Sequence, residues 1–197
     1  DETGRNTKMR QLQIGVMGSA DDLKYTQSIE QIAEQLGAEI AKRNGILFFG
    51  AEKDYDSLST AACRGAKSES GLTVGVTYGK GKDIYQQDAD VIISSGAERG
   101  GPRESVLVLS CDAVIAVSGG SGTLTELAIA YQGNIPMVAV RGTGGWADKM
   151  AGEYFDARER RLVYGADTAL EAVNIAFREG TKYLLGFTEK PCSFHGG

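Results

Sequence analysis

Ala113-Val114-Ile115-Ala116-Val117-Ser118-Gly119-Gly120-Ser121-Gly122-Thr123-Leu124-Thr125-Glu126 is the stretch that decides the fold. The apolar run Ala113 to Val117 has no polar face, which is the pattern of a strand covered on both sides in the middle of a parallel sheet. Three glycines then turn the chain into a helix expected from Thr123 to Tyr131. At such a turn the first backbone N–H groups have no intrahelical acceptor, and the positive end of the helix dipole lies beside them. Glycine lets the main chain approach an anion closely and take left-handed torsions. Gly119, Gly120 and Gly122, with Ser121 and Thr123 as hydroxyl donors, therefore form a candidate phosphate cradle. A plainer reading stands beside it: a tight turn in which Thr123 and Glu126, three residues apart, form a capping box.

Outward from this turn, short apolar runs alternate with longer amphipathic ones, the signature of βαβ units. Strands are expected at Leu12–Met17, Ile46–Phe49, Leu72–Val76, Val91–Ser94, Ala113–Val117 and Met137–Val140, with Leu162–Tyr164 as an edge strand. Helices are expected at about Thr26–Arg43, Tyr55–Lys67, Pro102–Ser110, Thr123–Tyr131 and Thr168–Arg178, and a short one from Trp146. Thr168 and Glu171 stand at capping-box spacing. The expected architecture is a three-layer α/β fold, Rossmann-like, with a mostly parallel central sheet of six or seven strands and helices on both faces. Gly18 and Ser19 end the first strand at the carboxyl edge, where such sheets bind ligands, and are candidate binding residues.

A length of 197 residues with 42% hydrophobic content suits one domain, expected over residues 9–187. Residues 1–8 read as a disordered extension and 188–197 as a flexible tail. The net charge of -5, with scattered basic residues, gives no footprint for nucleic acid. No apolar run approaches the ~20 residues that span a bilayer, and the polar start is unlike a signal peptide. The cysteines, Cys63, Cys111 and Cys192, are odd in number and far apart, which points to reduced, buried thiols and a cytoplasmic setting. His195 near Cys192 is the one metal candidate, and a closed site wants four ligands, so no metal is expected. There is no GxGxxG after the first strand and no GxxxxGK[ST], which disfavours NAD-dependent hydride transfer and P-loop hydrolysis.

The combination of Arg103, Ser118-Gly-Gly-Ser-Gly-Thr-Leu-Thr-Glu126 and Gly142-Thr-Gly-Gly-Trp-Ala-Asp148 resembles the lysine-decarboxylase-like superfamily of Rossmann-fold nucleotide-binding proteins. That superfamily includes the LONELY GUY-type phosphoribohydrolases, and the likeness is to its branch near molybdenum cofactor carrier proteins. The resemblance implies that Gly119, Gly120, Gly122 and Thr123 hold a phosphate. It implies that Arg103 and Glu126 form a catalytic pair in members that split a nucleoside 5′-monophosphate into free base and ribose 5-phosphate. It also implies a homodimer. The alternative is a non-catalytic carrier of a nucleotide or of a phosphate-bearing cofactor such as a pterin; no resident cofactor is expected, and no lysine is placed for a pyridoxal phosphate Schiff base. A salt bridge between Arg103 and Glu126 is the structural alternative to a catalytic pair.

Two departures stand out. Ser118 replaces the family proline, a change expected to loosen the turn without removing a donor. After the second strand stands Gly50-Ala-Glu-Lys-Asp-Tyr55, where Glu52 and Asp54 would repel a phosphate and Lys53 would offset part of that charge. Arg99, in a loop beside glycine, is a weaker binding candidate.

Overall fold

A computed structural model describes residues 9–186. The extension expected at 1–8, the tail expected at 188–197, and with it Cys192 and His195, lie outside the described residues. Seven parallel strands form one sheet in the order β4-β3-β2-β1-β5-β6-β7. They are β1 Gln13–Gly18, β2 Ile46–Gly50, β3 Thr73–Thr77, β4 Val91–Ser94, β5 Ala113–Val117, β6 Met137–Val140 and β7 Val163–Ala166. Between them run α1 Gln27–Lys42, α2 Leu58–Ser68, α3 Pro102–Leu109, α4 Ser121–Gln132 and α5 Gly145–Met150, and α6 Ala169–Leu184 follows β7. The sheet expected as mostly parallel is parallel throughout; the edge strand expected at Leu162–Tyr164 is β7, and β4 forms the other edge.

Strand alternation sorts side chains into two cores. Ile14, Val16, Leu47, Phe49 and Ile115 face α1, α2 and α6, while Met17, Phe48, Val114 and Ala116 face α3, α4 and α5. Because β5 feeds both cores, all five of its residues are buried, as its unbroken apolar run predicts. A large aliphatic or aromatic side chain buried in this way contributes about 1.5–3 kcal/mol.

Helix starts follow side-chain caps. Thr26, Ser57 and Thr168 each accept a hydrogen bond from the amide three residues on, and Ser57 begins α2 at Leu58 rather than at Tyr55. At α6, Thr168 caps as expected, while the Glu171 carboxylate accepts from the Asp167 amide, one residue outside the expected box. That helix also continues six residues past Arg178, because Ala172, Ile175, Ala176 and Glu179 keep one buried face.

From β1 the chain moves outward strand by strand to β4, then returns to lay β5 on the other side of β1. At this reversal the loops leaving β1 and β5 diverge and open a crevice at the carboxyl edge. The glycine turn lies there.

Candidate functional site

The turn after β5 is held from behind. Ser118 takes a left-handed φ of 54°, and its amide donates to Thr143 Oγ1 at 2.8 Å. Proline, with φ fixed near -65° and no N–H, can do neither. Serine at this position is thus a different entry into the turn rather than the mild loosening expected. The Gly119 amide donates to Ser19 Oγ at 2.9 Å, and the Ser118 and Gly119 carbonyls accept from Ala147 and Trp146 of α5. Gly119 has φ +100° and packs where a Cβ would strike Thr123. Gly119 and Ser19 therefore build the turn from inside the protein, and their polar groups are spoken for.

The open donors begin one residue later. Helix α4 starts at Ser121 with Gly120 as its N-cap, and no side chain caps it. The capping box read from Thr123 and Glu126 is absent, since both lie inside the helix. The amides of Gly120, Ser121, Gly122 and Thr123 consequently have no partner among the described residues. They line a cleft of about 220 Å³ together with Gly18, Arg103 and Glu126. Of the residues singled out by sequence, these seven meet in one space, and Ser19 and Gly119 stand behind it.

Arg103 and Glu126 share the cleft without forming the ion pair offered as the structural alternative. The Arg103 side chain, at the start of α3, is 6% exposed and donates to the Tyr78 hydroxyl while lying over the Tyr78 ring at 4.0 Å. Its nearest carboxylate oxygens are those of Glu52 at 3.7 Å and Glu104 at 3.8 Å, so Nε and Nη1 stay buried without a hydrogen-bond partner. Gly50 makes the room, because a Cβ there would collide with Nη1. Burial works against the charge of Arg103, and Tyr78, Glu126 and Glu52 hold it in place. Glu126 makes no hydrogen bond among the described residues, and burial pushes its carboxyl up to about 7. Arg103 opposes that rise, and Glu104 and Glu52 add to it.

Sequence reasoning missed Tyr78 and Glu104. Glu104 is 4% exposed; one carboxylate oxygen accepts from the Tyr78 hydroxyl at 2.8 Å and the other is unpartnered. Its place beside Arg103 in the first turn of α3 was the only available signal, and a helical acidic residue there ordinarily faces solvent. Glu52 and Arg99 also line the cleft, while Lys53 and Asp54 lie on an adjoining hollow. Asp22, Glu52, Glu104 and Glu126 outnumber Arg99 and Arg103, so the side chains of the cleft carry a net negative charge and its free donors are mainly main-chain amides.

A parallel sheet with an open helix N-terminus at its switch point defines a Rossmann-like α/β protein with free main-chain donors at the carboxyl edge. The chain belongs to the SLOG cluster4 family, which it matches over residues 11–172. The structure of TM1055 superposes with a TM-score of 0.76 at 26% identity, covering 85% of this chain and 99% of that one. The molybdenum cofactor carrier protein of Chlamydomonas reinhardtii superposes with a TM-score of 0.71 at 29% identity, over 90% of this chain and 99% of that one. The molybdenum cofactor binding protein of Rippkaea orientalis gives 0.72 at 28% identity, over 87% and 98%. These likenesses bear out the superfamily read from Arg103 and the glycine turn.

Proposed function

We propose that the cleft binds a phosphate-bearing, nucleotide-like small molecule, with the phosphate on the amides of residues 120–123. The observation that carries this reading is the set of four unpartnered amides at the start of α4, with the unpaired nitrogens of Arg103 in the same cleft. Charge-assisted bonds from amides and guanidinium to phosphate oxygens are stronger than neutral ones. Relatives that carry or bind the molybdenum cofactor support a carrier role, in which the ligand leaves unchanged.

Gly120→Asp tests the cradle. Aspartate at an N-cap bonds to the first-turn amides with its own carboxylate, so it fills the cradle while keeping the helix capped. Calorimetric titration with ribose 5-phosphate should show binding to the parent and at least tenfold weaker binding to the variant, with no loss of thermal stability. Equal affinity would remove the phosphate from this turn.

One observation favours a second reading, hydrolysis of the N-glycosidic bond of a nucleoside 5′-monophosphate. The Glu126 carboxyl, without a hydrogen bond and pushed up to about 7, can orient water or stabilise charge developing on the ribose. Incubation with nucleoside 5′-monophosphates decides between the readings: free base that disappears with Glu126→Gln supports hydrolysis, and bound but intact nucleotide leaves the carrier. A homodimer, implied by the family resemblance, completes the proposal.

A further inference from the structure

Beyond the cradle the cleft adjoins a second hollow of about 230 Å³, and Glu52, Tyr78 and Arg99 form the wall common to both. Tyr55 lines the far side. We propose that this hollow recognises a flat heterocycle whose edge carries two adjacent N–H donors beside a carbonyl, the 2-amino-4-oxo pattern shared by guanine and pterins. Glu52 would accept both donors and Arg99 would donate to the carbonyl. The proposal rests on the phosphate reading and assigns the rest of the ligand.

Glu52 is the first reason. Its side chain is only 11% exposed, and its one hydrogen-bonded cation is Arg99 at 3.0 Å, whose own side chain is 62% exposed. Arg103 stands off at 3.7 Å. Burial pushes the Glu52 carboxyl above its ordinary value, with Arg99 and Arg103 pulling the other way. A buried carboxylate compensated chiefly by a solvent-exposed arginine gains from two ligand donors, and an exposed ion pair is cheap to rearrange.

The aromatic walls are the second reason. The Arg99 guanidinium lies 5.0 Å from the centre of the Tyr78 ring and 5.8 Å from that of Tyr55. A planar group thus already rests against both rings, and a heterocycle offers the same flat shape with larger area. Arg99 belongs to a loop in which Gly96 and Gly100 have φ of +70° and +74°, and a Cβ at either would meet nothing within 4 Å. The loop backbone is uncrowded there, and Arg99, which also donates to the Tyr55 hydroxyl, would exchange that contact for the heterocycle carbonyl. Two acceptors followed by a donor complement guanine and pterin alike. Adenine places a ring acceptor against the second carboxylate oxygen, and unlike a missing contact this juxtaposition repels.

Calorimetric titration of the full chain with GMP, neopterin phosphate, AMP and ribose 5-phosphate tests the assignment. GMP or neopterin phosphate should bind at least tenfold more tightly than AMP, the scale of a two-point charge-assisted contact. Whichever binds more tightly identifies the source of the heterocycle. In Glu52→Gln the ratio of GMP or neopterin phosphate to AMP should fall to within about twofold; because both ligands are measured on the same variant, the ratio cancels any general loosening. Tyr55→Leu should weaken the heterocyclic ligands severalfold relative to ribose 5-phosphate. AMP binding as tightly as the others, or a ratio that survives Glu52→Gln, overturns the heterocycle site while ribose 5-phosphate binding keeps the cradle. Failure of every phosphate compound, ribose 5-phosphate included, overturns the cradle and this assignment with it.

Discussion

Glu126 is a buried carboxyl with its pKa pushed up to about 7, well above its ordinary 4.5. Below pH 4.5 it is protonated in both the folded and unfolded chains and has no net effect. As pH rises toward 7 the unfolded chain releases this proton first, so the folded state loses stability, and the loss is complete above 7. A rise of this size bounds the cost at about 3 kcal/mol. Glu126→Gln should therefore match the parent near pH 4 and be the more stable of the two at pH 8 in denaturant titrations. A difference independent of pH would mean that the carboxyl is not held as described. A substitution that stabilises a buried, unpaired carboxyl is the mark of a residue kept for chemistry or binding.

At the scale of elements, α1 and α2 touch through their backbones. A Cβ on Gly37 would strike the Ala62 carbonyl, and one on Gly65 the Glu34 carbonyl. On an exposed helix, glycine to alanine gains about 1 kcal/mol of helix propensity. Here overpacking, about 1–3 kcal/mol against stability, should win. Gly37→Ala should thus lower the thermal midpoint, and a raised midpoint would show that the helices can part freely. The contact bears on the site because α2 places Leu58 against Gly18 and sets Ser57 and Ser59 in the cleft wall.

Element positions were legible in the sequence because each rests on a local period. The two-sided run of β5 and the capped start of α6 are of this kind. Thr123 and Glu126 misled for a related reason: a separation of three recurs throughout a helix, and the true N-cap, Gly120, has no side chain to announce itself. The order of strands around the switch point follows from general rules of α/β winding. Which loops meet above it does not. Tyr78, after β3, reaches Arg103 and Glu104 only through the fold, and no local pattern marks it.

For the whole molecule, the proposed homodimer has a physical counterpart on α3 and α4. Leu109 is 61% exposed, and Leu124 and Ile129 of α4 are only partly buried, Ile129 resting at the margin of the core. Sedimentation velocity at micromolar concentration should give about twice the chain mass of 20.9 kDa, and Leu109→Glu should shift the species toward monomer. A monomer for the parent chain would contradict this proposal. No helix among the described residues is long and apolar enough to cross a membrane.

The donors at the start of α4 are peptide groups, and every residue but proline supplies the same one. On the proposed reading, mutation can rewrite the side chains at 52–55 and 99 without touching these donors, which move only if the turn at 118–120 changes shape. The proposed binding mode would let lineages on this scaffold trade one ligand for another by altering a few loop side chains while the attachment point stays where it was.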